Sequence, residues 1–164
     1  MVLLDPKNLV IADSPPDNLV LVQKMVSGHT LTNGTLGLEN EGAFGAAIAL
    51  EGDRLVVGAD FGDTPAGESG TGSVYLFTGI GTDLTGLTLR GKITSGQGAI
   101  NMQPLANGDA FGTALALEGD RLVVGARNDD DPQQTNIDRG AVHLFTGVGT
   151  DFSGLAWQKK LTSG

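Results

Sequence analysis

The sequence predicts an all-β protein built from repeated four-stranded antiparallel sheets. First, the chain contains a long internal repeat, in which residues 44–59 and 111–126 are identical at 14 of 16 positions. Second, short apolar runs alternate with glycine-rich breaks, and glycine accounts for 26 of the 164 residues. Short apolar runs separated by turns are typical of β-strands. No capping signal opens a sustained helical periodicity, so we expect no helix.

The repeat resumes after a variable loop. Residues 72–96 and 140–164 are identical at 15 of 25 positions, at an offset of 68 residues where the first segment has 67. The segment QKMVSG at 23–28 is similar to the ends of both later units. Similarity at a fixed period indicates a repeat architecture in which each unit is one supersecondary structure.

Each unit has the pattern of four strands joined by hairpins. In the first unit the strands are expected at 46–50, 55–59, 72–78 and 87–94. Glu-Gly-Asp-Arg at 51–54 suits a tight turn, because glycine and aspartate tolerate positive φ. Leu55, Val56 and Val57 are continuously apolar, which indicates a strand buried on both faces. The fourth strand is more polar and is expected at an outer edge.

Sheets that are apolar on both faces must stack, and a ring of such sheets is a β-propeller. The small residues Gly45, Ala47 and Ala49 fit a place where blades converge on an axis. A sandwich would not repeat its sequence so closely, and a solenoid coil is usually shorter than about 67 residues. We therefore predict a partial β-propeller of about two and a half blades, whose ring this chain does not close.

The repeat boundaries divide the chain into three predicted domains. Residues 1–28 are the C-terminal half of a preceding blade, with strands at 8–13 and 19–26, and complete blades occupy 29–96 and 97–164. Even a four-bladed ring would need roughly 268 residues. The chain is therefore a piece of a longer gene product, a short protein whose copies assemble a ring, or an open array. The missing first half of the first blade favours the first explanation, and exposed apolar faces count against the last.

Composition and charge exclude several classes of function. The formal net charge of -9 repels phosphate backbones, so we expect no nucleic-acid partner. Cysteine is absent, which excludes a disulfide framework and a thiolate metal site. No apolar run reaches about 18 residues, so we expect no membrane insertion. Residues 1–10 lack the pattern of a signal peptide, and no motif of a hydrolase, metalloprotease or nucleotide-binding site is present.

Several motifs of the unit resemble the FG-GAP repeats of integrin-type propellers, in their bacterial variant. Phe-Gly at 44–45 and 111–112 is similar to the FG motif. Val-Gly-Ala at 57–59 and 124–126 is similar to the GAP motif, and GSVYLF at 72–77 is similar to the strand that follows. Asp60 and Arg127 stand where the family usually has proline.

The resemblance implies a function as well as a fold. It implies a non-enzymatic adhesion or protein-interaction module from a larger secreted or surface protein, with an extracellular or cell-surface location. The expected partners are other blades of the same or a neighbouring chain, and an unknown protein or glycan ligand. Two alternatives remain open. One is a purely structural propeller scaffold stabilised by calcium, and the other is part of a propeller enzyme whose active site lies outside this chain.

The resemblance also implies a possible calcium cofactor, held in a loop just before the LVVGA strand. That loop is here only Glu-Gly-Asp-Arg, at 51–54 and 118–121, which cannot supply the six to eight oxygens that calcium takes. We interpret these acids as solvated turn residues. The remaining candidate metal ligands are Asp129, Asp131 and Asp138 in the second variable loop, although a solvated acidic loop is the competing interpretation.

Overall fold

The computed structural model describes residues 4–5, 8–9, 24–38, 42–61, 70–81, 86–129 and 139–162. Every helix or strand element among these residues is a strand, so the predicted all-β class is confirmed. None of the described segments is a helix with the length and hydropathy needed to span a bilayer.

Two small hairpins precede two larger sheets. The hairpins pair β1 (Leu4–Asp5) with β2 (Asn8–Leu9), and β3 (Thr30–Leu31) with β4 (Gly34–Thr35). The first sheet contains β5 (Phe44–Glu51), β6 (Arg54–Ala59), β7 (Ser73–Thr78) and β8 (Thr88–Ile93). The second sheet contains β9 (Phe111–Glu118), β10 (Arg121–Ala126), β11 (Ala141–Thr146) and β12 (Ala156–Thr162).

Both sheets are antiparallel meanders with their strands in chain order, as the repeat predicts. The tight turn is confirmed in both units, since Gly52 and Gly119 have φ of 58° and 56°. β6 is buried along its apolar length. The more polar β8 lies at the edge of the sheet, where its one partner among the described strands is β7. The two units therefore fold as two four-stranded blades of the propeller type.

Each sheet has two apolar faces, and strand alternation decides which residues lie on each. The leading face of the first sheet bears Leu55, Val57, Ala59, Tyr75 and Phe77, and its trailing face bears Val56, Val74, Leu76 and Ile93. The corresponding leading face of the second sheet bears Leu122, Val124, Ala126, His143 and Phe145, and its trailing face bears Val123, Val142, Leu144 and Leu161.

The two sheets pack with the trailing face of the first against the leading face of the second. Phe111 and Phe145 of the second sheet are fully buried in this cluster beside Val74 and Ile93 of the first. The leading face of the first sheet forms a separate cluster, which includes Leu36 after the β3–β4 hairpin. The two four-stranded sheets are thus stacked face to face, and the described residues do not close a ring.

Strands β6 and β9 approach closely because a glycine of each strand faces the other. An ideal Cβ added at Gly58 would lie 2.0 Å from the carbonyl oxygen of Gly112. Gly112 itself has φ of 97°, which L side chains rarely adopt. Small residues are therefore needed where the two blades converge, at Gly58 and at Gly112, which is the counterpart of Gly45. The interpretation is not borne out for Gly45 itself, because an ideal Cβ there would have no atom within 4 Å.

The predictions for the first 28 residues are only partly tested. Residues 8–9 of the strand expected at 8–13 form β2, and residues 10–23 lie outside the described part of the chain. The strand expected at 19–26 is wrong where it is described, because 24–26 is not a strand. A turn begins there instead: the amide of His29 donates to the Val26 carbonyl at 3.0 Å, and Gly28 has φ of 85°.

We expect Gly58→Ala to lower the free energy of unfolding by about 3 kcal/mol, because the new methyl group must displace backbone of the neighbouring blade. Gly91→Ala is the matched control in the same sheet, since its Cβ would meet only a Leu76 methyl at 4.0 Å. Urea denaturation followed by the fluorescence of Trp157 measures both changes. Equal stability of the two variants would contradict the close approach of the blades.

Candidate functional site

The connections of the two blades lie at two opposite ends of the stack. The tight turns at Gly52 and Gly119 lie at one end, called here the turn end, together with the loops that follow β7 and β11. The loops that follow β6 and β10 lie at the other end, called the loop end. Binding residues of repeat proteins concentrate in such loops, so both ends are candidate sites.

At the turn end, one aspartate in each turn holds the glycine-rich loop of its own blade. Asp53 accepts backbone hydrogen bonds from Gly79 at 2.9 Å and Gly81 at 3.1 Å. Asp120 makes the same pair of bonds to residues 147 and 149, at 3.0 and 3.1 Å. These backbone bonds, led by the ones from Gly81 and from residue 149, hold the pKa of each carboxyl below its ordinary value of 3.8.

A second set of contacts at the turn end joins the two blades. One guanidinium nitrogen of Arg54 donates to the carbonyl oxygens of Gly119 and Gly149, each at 2.7 Å. Glu51 pairs with Arg54 at 2.5 Å and accepts the amide hydrogen of Gly119 at 2.9 Å. The Arg54 side chain is only 15% exposed, so these bonds are largely shielded from water. We call this Glu51–Arg54 arrangement the inter-blade strut.

Asp53, Glu118 and Asp120 are exposed, in agreement with their interpretation as solvated turn residues. The structure adds defined backbone partners for two of the acids, since Glu51 accepts from the neighbouring blade and Asp53 accepts from its own blade. The sequence could not show this, because the partners are main-chain atoms of loops distant along the chain. The turns of the two blades also border a groove of about 730 Å³, lined by acidic, arginine and glycine residues.

At the loop end, the two residues that replace the family's proline contact each other. Arg127 of the second blade lies 3.4 Å from the buried carboxylate of Asp60 in the first. The guanidinium also stands over the ring of Phe61, 5.3 Å from its centroid. Phe61 is 50% exposed and Arg127 is 47% exposed, so an aromatic ring and a guanidinium share one accessible surface between the blades.

A buried polar network lies within the second blade. His143 is 1% exposed, and its Nε2 lies 2.7 Å from the carboxylate of Asp129. The indole of Trp157 donates to His143 Nδ1 at 3.2 Å. Because an indole nitrogen only donates, Nδ1 carries no proton and Nε2–H donates to Asp129. Lys160 donates to the other oxygen of the same carboxylate.

This network keeps Asp129 ionised although it is buried. Burial acts to raise its pKa, but the hydrogen bonds from His143 and then Lys160 outweigh burial, so the pKa lies below 3.8. The edge of the His143 ring also meets Phe111, with centroids 5.2 Å apart. His143 is therefore a packing residue of the blade, in the place that Tyr75 occupies in the first repeat.

Of the three candidate metal ligands, the structure describes one. Both carboxylate oxygens of Asp129 are bound, to His143 and to Lys160. Asp131 and Asp138 lie outside the described residues, and calcium binding by this loop stays a prediction. Elsewhere in the described part of the chain, no three His, Cys, Asp or Glu side chains are grouped so that they could hold a metal ion.

The network was not predicted from the sequence, although comparison of the two repeats contains a signal for it. Two positions change together between the units, from tyrosine and leucine to His143 and Trp157, while the neighbouring lysine is kept. A paired change beside a retained charge indicates a polar contact. The lysine of the first unit, Lys92, stands over the Tyr75 ring at 5.5 Å instead.

Comparison with known proteins agrees with this geometry. The family model described as FG-GAP repeat matches residues 39–77 and 105–145, one match in each blade. Each match runs across the turn-end hairpin into the third strand of its sheet. A search of curated proteins gave no match.

We expect Arg54→Ala to lower the free energy of unfolding by about 2 kcal/mol, because it removes charge-assisted bonds to two carbonyls of the next blade. Arg121→Ala is the matched control: it occupies the same position in the second repeat, but its side chain is 68% exposed and pairs with Glu118 at the surface. Removal of the Arg121 side chain should lower the free energy of unfolding by less than about 1 kcal/mol. Denaturation at low protein concentration measures both, and equal losses would contradict the strut.

We expect Asp129→Asn to lower the free energy of unfolding by about 3 kcal/mol at neutral pH, because Lys160 and His143 lose their buried anionic partner. Since the pKa of Asp129 is lowered in the folded state, its contribution is present above pH 3.8 and is lost as the pH falls through the folded value. The variant should therefore lose less stability than the wild type on acidification. The fluorescence of Trp157, the single tryptophan, reports both transitions. Asp151→Asn, at an exposed carboxyl, is the control, and an equal effect there would refute a special role for Asp129.

Proposed function

This chain is a member of the FG-GAP repeat family, and from that premise we propose that it is a non-enzymatic interaction and adhesion module. The module would act within a larger secreted or cell-surface repeat protein and bind a protein or a glycan. The fold supports this role because stacked blades form a rigid support that presents loops at its ends.

The titratable residues of the structure support a non-enzymatic role. The His143–Asp129 pair has the hydrogen-bonding pattern of an acid–base pair, but His143 is 1% exposed. A substrate could not reach its ring without opening the contact between the blades. Asp53 and Asp120 hold backbone loops, and the strut joins two blades. Each of these groups thus stabilises the fold.

The observation that carries the binding proposal is the accessible pair of Phe61 and Arg127 at the loop end. Aromatic and arginine side chains are among the residue types that dominate binding energy in protein interfaces. Asp60 holds the guanidinium in place over the ring, so the pair is preorganised and loses little entropy on binding. The site lies between two blades, where a partner could contact both.

We expect Phe61→Ser to weaken partner binding by about tenfold or more, because it removes the exposed aromatic anchor. The probe is an immobilised array of extracellular matrix proteins and glycans, and the measurement is the affinity of the fluorescently labelled chain for the components that bind it. Arg121→Ala, at an exposed arginine of the turn end, is the matched control and should leave affinity unchanged.

Two outcomes would contradict the proposal in different ways. A partner whose affinity is unaffected by Phe61→Ser would show that binding occurs elsewhere on the module. An array in which no protein or glycan binds the wild-type chain would count against an interaction module altogether.

A further inference from the structure

The dipeptide Asn-Gly occurs twice in the chain, at 33–34 and at 107–108. In both places the asparagine lies in a turn, and the asparagine and the glycine are exposed. Asparagine is chemically labile in proteins, and it reacts most readily before glycine, because a following residue without a side chain leaves its amide nitrogen unhindered. The two dipeptides have the same reacting groups, so the fold decides which of them can react.

The side chain of Asn33 is held against the edge of β8. Its Nδ2 donates to the carbonyl oxygen of Leu89 at 2.7 Å, and its Oδ1 accepts from the Leu89 amide at 3.3 Å. The preceding residue, Thr32, also donates its amide hydrogen to the Leu87 carbonyl at 3.0 Å. The side-chain amide therefore pairs with β8 as the backbone of an added strand would. The Asn33 side chain must give up both bonds to Leu89 before it can turn towards the amide nitrogen of Gly34.

The second Asn-Gly turn is fixed at both sides but not at its tip. The Asp109 amide donates to the Ala106 carbonyl at 3.4 Å, and the Ala106 amide donates to the Asp109 carboxylate at 2.7 Å. Among the described residues, neither the Asn107 side chain nor the Gly108 amide has a hydrogen-bond partner. An ideal Cβ added at Gly108 would meet no atom within 4 Å, so the tip of the turn is open to water.

From this contrast, we propose that Asn107 is a site of spontaneous deamidation in the folded protein and that Asn33 is protected from the same reaction. The Gly108 amide nitrogen loses its proton to hydroxide and bonds to the Cγ of Asn107. The Cγ–Nδ2 bond breaks, ammonia leaves with a proton taken from water, and a succinimide ring remains. Water then opens the ring at either carbonyl carbon, which yields aspartate or isoaspartate and restores the N–H of Gly108. Water is the only co-reactant, and ammonia is the only group released.

The product changes the contact between this turn and the loop after β10. The carbonyl oxygen of Gly108 accepts a hydrogen bond from Asn128 Nδ2 at 3.0 Å, and Asn128 adjoins Arg127. Isoaspartate adds a carbon atom to the backbone immediately before Gly108, so it displaces this carbonyl. Either product adds a negative charge at the loop end. An effect on partner binding would rest on the function proposed above, whereas the modification itself does not.

The test is the rate of deamidation at each site in the full chain, kept folded in mildly alkaline buffer and sampled over several days. Trypsin separates the two sites, because Asn33 lies in the peptide 25–54 and Asn107 in the peptide 93–121. Each conversion replaces an NH2 group by an OH group, and the fragment ions of the peptide assign the resulting gain in mass to a residue. Asn107→Gln is the control for that assignment, because its longer side chain cyclises far more slowly and should gain no mass at this position.

We expect Asn107 to deamidate about thirtyfold faster than Asn33 in the folded chain, which is the factor by which two hydrogen bonds of ordinary strength slow a reaction that must break them. The same chain in concentrated urea is the matched control, because unfolding removes the hydrogen bonds of Asn33. In urea the two sites should deamidate at similar rates.

The proposal is overturned by a folded chain in which Asn107 reacts less than about tenfold faster than Asn33. It is also overturned by a difference of the same size in urea, because the difference would then come from the sequence and not from the fold. None of these outcomes affects the loop-end binding proposal, which is tested on the array with freshly prepared chain.

Discussion

The structure depends on one constraint: a small four-stranded sheet has two apolar faces and cannot bury both without a neighbour. Val56 and Val57 are adjacent in sequence and both almost fully buried, but they belong to different clusters on opposite sides of the sheet. Strand alternation alone produces this division. Gly58 of β6 and Gly112 of β9 follow from it, because two sheets that share a buried layer must let their backbones approach. The strut follows as well, since it forms only where the turn of one blade meets the turn of the next.

The two repeats show that the neighbouring blade, and not the local sequence, sets the exposure and the hydrogen-bond partners of a residue. Arg54 and Arg121 stand in the same eight-residue sequence, LEGDRLVV. The first is 15% exposed with two carbonyl partners, and the second is 68% exposed with a surface carboxylate. A repeat protein therefore contains its own control for each interface contact. The comparison separates what a residue contributes to its own blade from what it contributes to the next.

Features set by local pattern could be predicted from the sequence. The run Leu55–Val57 predicted a strand that is buried on both faces, and Gly52 predicted a turn with positive φ. The partners of Asp53 could not be predicted, because they depend on where a glycine-rich loop lies in space. For Asp129, the paired change to His143 and Trp157 indicates a polar contact but does not identify the carboxylate, which comes from a loop of variable sequence. The same reason explains the incorrect strand at 24–26: its apolar residues continue a strand pattern, but the turn at Gly28 redirects the chain.

The repeats agree most in the segments that form blade contacts and differ most at the loop end. The hairpin of β5 and β6 is nearly identical to that of β9 and β10, whereas the proline position of the motif carries Asp60 in one blade and Arg127 in the other. Stacking requires every blade to present the same faces, so substitutions there must be compatible with two neighbours at once. A loop-end residue has no such requirement beyond the adjacent loop. The division lets the surface that we propose for binding change its chemistry while the stack that supports it stays the same.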